Sequence, residues 1–148
     1  MDTEFEFDGL FHVRPGVTTA REVYSLLGIA DGREVRSQST SSSELGSFLF
    51  FQENTIAIGF EGNPNLNETL VYEVRLLKGN ATILKCGLHV GMERRNACEL
   101  ICQKFTVTDV FDDSIYFTPS TERPLVACAE FIQANVITSL ELYNEDHF

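Results

Sequence analysis

The residues best equipped for chemistry fall in the second half of this chain. His89 and Glu93 stand four apart, which sets two side chains on one helix face, as a zinc-binding pair requires. A zinc site needs further ligands, and none is spaced to join them. A histidine at a helix start and a glutamate favoured by the positive end of the helix dipole account for the pair without a metal. Cys98 and Cys102 are also four apart, on a helix face that carries apolar residues. With Cys86 and Cys128 they make four cysteines, none in CxxC spacing, and the only histidines are His12, His89 and His147. All four are expected to be unpaired and mostly buried, acting as small hydrophobes; a disulfide and a metal site are the alternatives. Asp109, Asp112 and Asp113 form a carboxylate cluster in an expected loop, suited to a cation, to acid–base work or to plain solvation. Serines crowd positions 37–47 without a nucleophile elbow, Cys102 has no evident His or Asn partner, and no glycine-rich loop opens a helix as a phosphate cradle would. The expectation is a non-enzyme with no catalytic residue, no metal and no cofactor.

Charge narrows the partners. The 148 residues carry 22 acidic and 11 basic side chains, a formal charge of −11. That argues against nucleic acid and anionic membrane surfaces, and fits either a soluble protein or one that meets a basic partner. The N-terminal MDTEFEFDGL is acidic and lacks the apolar stretch of a secretory signal, and no apolar run approaches a membrane span. A cytoplasmic location follows as an expectation.

The positioning elements are legible from punctuation and periodicity. In PGVTTAREVYSLLG (residues 15–28) a Pro-Gly turn precedes Thr18 and Thr19, either of which can cap a helix with Val23, Leu26 and Leu27 on its apolar face. Glu22 completes a capping box with one of them, and Gly28 is the C-cap. A loose strand is expected at Glu4–Val13, and the polar SQSTSSSELGS reads as a loop, with a short strand around Val35. Strands follow at Phe48–Phe51 and Thr55–Phe60, with the turn Gln52-Glu53-Asn54 between them. After the loop GNPNLNE comes a strand with Leu70, Tyr72, Val74 and Leu76 on one face. The pattern then restarts: an approach segment at Ile83–Leu88, a helix from Val90 through Ile101, short strands around Val107–Val110 and Ile115–Phe117, the loop STERP, and alternating strands at Leu125–Phe131 and Val136–Leu142. A polar tail closes the chain.

The restart is a repeat of order more than of identity. Gly16 falls on Gly91, 75 residues on; Leu70, Tyr72, Val74 and Leu76 fall on Val136, Thr138, Leu140 and Leu142, 66 residues on. Loop lengths absorb the difference. A unit of about 70 residues, half helix and half meander, cannot close a good core alone. Two side by side can share one antiparallel sheet. The fold expected is α+β, with two similar helix-plus-meander modules (residues 1–80 and 81–148) forming one curved sheet with helices on one face.

On Gly16, Val17, Thr18, Val23, Leu27 and Gly28, and more weakly on Gly91 and Met92, the chain resembles the tandem modules of the beta-lactamase inhibitor protein and the small lipoproteins of the outer-membrane barrel-assembly machinery. The spacing between Gly16 and Gly28 is one residue longer than in that pattern, Glu93 stands where Thr is usual, and the second copy lacks a closing glycine. The lipoproteins' lipidated N-terminal Cys and the inhibitor's secretion signal have no counterpart. The resemblance implies modules of one or two helices plus a four-stranded meander, with the concave sheet face binding another protein.

Together these point to an immunity protein: an acidic, non-catalytic antitoxin that neutralises a basic toxin, such as a nuclease of contact-dependent growth inhibition. Asp109, Asp112, Asp113, Glu53 and Glu61 would meet Lys and Arg, which speeds encounter. Phe111 and Tyr116 would be aromatic anchors, with Phe51 beside them. Tyr72 and Tyr143 mark a second possible face on the sheet. The alternative is a small-ligand-binding or scaffold domain.

Overall fold

The computed structural model describes residues 13–37, 44–118, 125–132 and 135–144. The expected strand at Glu4–Val13, the middle of the serine-rich loop, the STERP loop and the tail lie wholly or largely outside them. Helix α1 (Ala20–Leu27) begins at Thr19. Glu22 N donates to Thr19 Oγ1 at 3.4 Å and Thr19 N donates to Glu22 Oε1 at 3.1 Å, the reciprocal capping box. Gly28 closes the helix, its N–H donating to Tyr24 O. Helix α2 (Arg94–Lys104) starts from Glu93 without a side-chain cap and ends at Phe105 without a glycine. Ala20, Val23, Ala97 and Ile101 are the buried positions of the two helices.

Among the described residues, each of these helices is followed by four strands. They are β1 (Gly32–Ser37), β2 (Glu44–Phe51), β3 (Ile56–Phe60) and β4 (Val71–Leu76), then β5 (Thr106–Val110), β6 (Ser114–Thr118), β7 (Leu125–Glu130) and β8 (Ser139–Asn144). All join one antiparallel sheet in the order β1-β2-β3-β4-β8-β7-β6-β5. The architecture is α+β. The segment 83–88, expected as a short strand or an approach, forms no strand, although Leu84, Cys86 and Leu88 are buried.

Strand alternation gives the sheet two unlike faces. Leu49, Phe51, Ile56, Ile58, Val74, Leu76, Leu140 and Leu142 join the buried helix residues in one large core. Phe48, Ala57 and Tyr72 form a separate small cluster, with Phe50 and Leu77 against it. Tyr72 therefore does not share the face of Val74 and Leu76, as simple alternation implies, and it is buried rather than an exposed anchor. The cause is a register shift between Gly59 and Phe60: Gly59 pairs with Glu73 and Phe60 with Val71, leaving Tyr72 as the extra residue of a bulge. Gly59 leaves room for the two rings: a Cβ there would lie 3.0 Å from both Phe48 Cε1 and Tyr72 Cζ, and the rings would have to shift.

The approach to each helix is built from the same backbone bonds. Gly16 N donates to Val71 O, Val71 N to Thr18 O and Ala20 N to Thr69 O; Gly91 N donates to Ile137 O, Ile137 N to Met92 O and Arg94 N to Asn135 O. The N-cap residues make matching bridges, Thr19 to Leu70 and Glu93 to Val136. Gly16 (φ 81°) and Gly91 (φ 91°) both adopt the left-handed conformation that favours glycine.

Candidate functional site

The face opposite the large core carries polar chemistry. One row of direct cross-strand partners crosses the whole sheet: Gly32, Phe50, Ala57, Arg75, Glu141, Cys128, Tyr116 and Asp109. A neighbouring row runs Phe48, Gly59, Glu73, Tyr143 and Val126. On the other side, Ser114, Glu130 and Ser139 pair in turn. Three carboxylates, one guanidinium, a thiol and two phenols thus meet near the middle of this face.

Their electrostatics follow from burial and mutual contact. Glu73 is 4% exposed and accepts a hydrogen bond from Arg75 Nε, which resolves an otherwise costly buried charge. Burial works against the Arg75 charge, but that bond and the charges of Glu73, Glu141 and Glu130 outweigh it and hold the guanidinium above its ordinary range. Arg75 Cζ also lies 5.1 Å from the centre of the Phe48 ring, a cation–π contact. Burial first, and then the hydrogen bond with Glu130, push the Glu141 carboxyl up to about 8. That shared bond, followed by one from Ser139, holds Glu130 low against its own partial burial. The 4.0 Å gap between Arg75 Nη2 and Glu141 Oε1 is too long for a hydrogen bond. Ser139 Oγ donates to Glu130 Oε1 at 2.8 Å.

Burial pushes the Cys128 thiol up to about 12, with Glu141 adding to it. Cys128 itself, by charge and by hydrogen bond, and partial burial raise Tyr116 to about 12. Tyr143 is also raised, mainly by burial. All three are neutral at physiological pH, and the thiol is poorly suited to act as a nucleophile. Beside them a cleft of about 500 Å3 is lined by Asp109, Phe111, Tyr116, Val126 and Tyr143, with Thr108 and Thr118. The Phe111 and Tyr116 rings meet edge to face, centroids 5.7 Å apart at 87°.

The sequence-named residues divide by location. Asp109, Phe111 and Tyr116 come together in this cleft; Asp109 lies in β5 rather than in a loop. Asp112 and Asp113 occupy the β5–β6 turn and are exposed. Glu53 occupies the β2–β3 turn, where Gln52, Glu53 and Asn54 all have positive φ and Asp31 Oδ2 accepts from the N–H groups of Glu53 and Asn54. Antiparallel pairing puts these two turns at the same end of the sheet, but three strands lie between β3 and β6, a separation of roughly 19 Å at the usual strand spacing. Glu61 follows β3 and sits at the opposite end. Phe51 is fully buried in the large core and is no anchor. A reading of the strands for their apolar faces passes over Glu73, Arg75, Glu130 and Glu141; their alternation with core residues within β4, β7 and β8 is the signal that marks them.

Among the described residues, no three His, Cys, Asp or Glu side chains are grouped to hold a metal ion, and no helix is long and apolar enough to cross a membrane. The four cysteines are unpaired: Cys86 and Cys128 are buried, Cys98 is half-buried and Cys102 is exposed, so only two match the expectation of burial. No known protein family, curated protein or solved structure matches the chain.

Proposed function

We propose that this chain is a non-catalytic, protein-binding inhibitor, an immunity protein that neutralises a basic toxin in the cytoplasm. The observation that carries this reading is the polar face: a continuous row from Arg75 through Glu141, Cys128 and Tyr116 to Asp109, bordered by aromatic rings. Aromatic residues supply large contact area, and surrounding carboxylates select and steer a cationic partner. The formal charge of −11 supports the same direction of steering. The resemblance to sheet-based inhibitor modules adds a binding mode in which a sheet face meets the target.

We also propose that the chain is two copies of one helix-plus-meander module, divided near Asn80, with both helices covering the large-core face and leaving the polar face for the partner. Support comes from the matched hydrogen bonds at the two helix starts and, among the described residues, from a helix followed by four strands in each half.

The test is co-expression with basic toxin domains, beginning with any encoded beside this gene. Rescue of growth together with recovery of a one-to-one complex supports the reading. Failure to protect against, or bind, every such toxin ends it.

A further inference from the structure

We infer that the cleft bounded by Asp109, Phe111, Tyr116, Val126 and Tyr143 receives the guanidinium of an arginine side chain presented by a basic partner. The inference deepens the inhibitor reading and rests on it for the partner; the cleft itself can be tested alone.

The shape and lining select the occupant. The cleft has about 500 Å3 of space and three aromatic residues, Phe111, Tyr116 and Tyr143. Phe111 is 56% exposed yet is held in edge-to-face contact with Tyr116, so a ring face is available to solvent at little further ordering cost. Among the described residues, guanidinium groups lie over Phe48 and Phe131, and none lies over Phe111 or Tyr116. The first half of the polar face thus shows the kind of contact the second half is shaped to make: Arg75 over Phe48, its Nε bonded to the Glu73 carboxylate. In the cleft, Phe111 and Tyr116 supply the rings and Asp109 the carboxylate. A planar guanidinium stacks on such rings while donating in its own plane to an acid, which a compact, strongly hydrated ammonium does less well. Charge agrees, with Asp109 on the cleft wall and Glu130 on the strand behind Tyr116.

The test uses the full chain and small probes. N-acetyl-arginine amide, its lysine counterpart and its neutral citrulline counterpart are titrated to tens of millimolar while backbone and aromatic NMR shifts are followed. The expected result is a saturable shift at Thr108, Asp109, Phe111, Tyr116 and Tyr143 with the arginine probe, at least about threefold weaker with lysine and absent with citrulline. Asp109→Asn and Phe111→Ala, both at exposed positions, should each weaken the arginine probe about threefold or more while leaving the remaining spectrum unchanged. Equal shifts with citrulline, equal affinity for lysine, shifts elsewhere on the surface, or no shift at all would overturn the proposal. Arginine binding in the cleft without protection against any toxin would end the immunity reading and leave the cleft assignment standing.

Discussion

Arg75 of β4 and Glu141 of β8 face each other across the ladder that joins the two meanders, and they lie 66 residues apart, the separation of Leu70 from Val136 and of Val71 from Ile137. Their neighbours obey the same relation: Val74 pairs with Leu142 and Leu76 with Leu140. The two strands thus run antiparallel about the Arg75–Glu141 pair. This pair stands at the polar centre of the face opposite the large core, with Glu73 and Cys128 buried beside it.

Glu141 makes stability depend on pH in a defined direction. Its carboxyl is raised from 4.5 to about 8 in the folded chain, so between those values the folded state holds a proton that the unfolded state has lost. Stability from this group falls as pH rises from about 4.5 to 8 and is level above that. Glu73 and Arg75 from β4, Cys128 and Glu130 from β7 and Tyr116 from β6 set this environment. Glu141→Gln should flatten the decline, and at pH 8 should be more stable than the parent by on the order of 2 kcal/mol. Denaturant unfolding of both proteins at pH 5, 6.5 and 8 checks it; parallel curves would show no such proton.

The two helix starts should respond oppositely to capping substitutions. Thr19→Ala removes the acceptor of the Glu22 N–H and leaves only the backbone half of the capping box, Thr19 N to Glu22 Oε1, and should cost about 1 kcal/mol. Glu93 occupies an extended N-cap and makes no side-chain cap bond, so Glu93→Ser should add about 0.5–1 kcal/mol. Thermal or denaturant unfolding reads both.

Gly59→Ala should cost about 1–3 kcal/mol, because the new Cβ would lie 3.0 Å from Phe48 and Tyr72. The aromatic pair, now 6.1 Å between centroids, must separate, and near-ultraviolet circular dichroism should report it.

The thiols should label in order of exposure under native conditions: Cys102 first, Cys98 more slowly, Cys86 and Cys128 only on unfolding. All four should react in denaturant without reductant. Rapid native labelling of Cys128 would contradict its place beneath Tyr116 and Glu141.

Local punctuation made much of the fold legible. Thr19, Glu22 and Gly28 mark α1 by side-chain and backbone bonds made within a few residues, and the apolar run Ile56–Phe60 is a fully buried strand. Simple alternation puts Tyr72 on the wrong face because a bulge shifts the register by one residue, and the pairing that shows it, Gly59 with Glu73 and Phe60 with Val71, lies on another strand. The site was legible only at its edge. Asp109, Phe111 and Tyr116 sit close in sequence around one hairpin, whereas Glu141 meets Arg75 and Glu130 only through pairings between distant segments. Asp112, Asp113 and Glu53 drew attention as exposed charge, which sequence reveals more readily than shared position.

That distinction gives the sharpest test of the central claim, that the polar face binds a basic protein. With a toxin against which the chain protects, association and dissociation rates are measured against salt for the parent, for Asp112→Lys/Asp113→Lys and for Asp109→Lys/Tyr116→Ala. Exposed turn charges should steer only. The turn variant should associate more slowly with a shallower salt slope, dissociate normally, and change stability by no more than about 0.5 kcal/mol. The face variant should dissociate at least about tenfold faster. A face variant that binds and releases the toxin as the parent does would contradict the account.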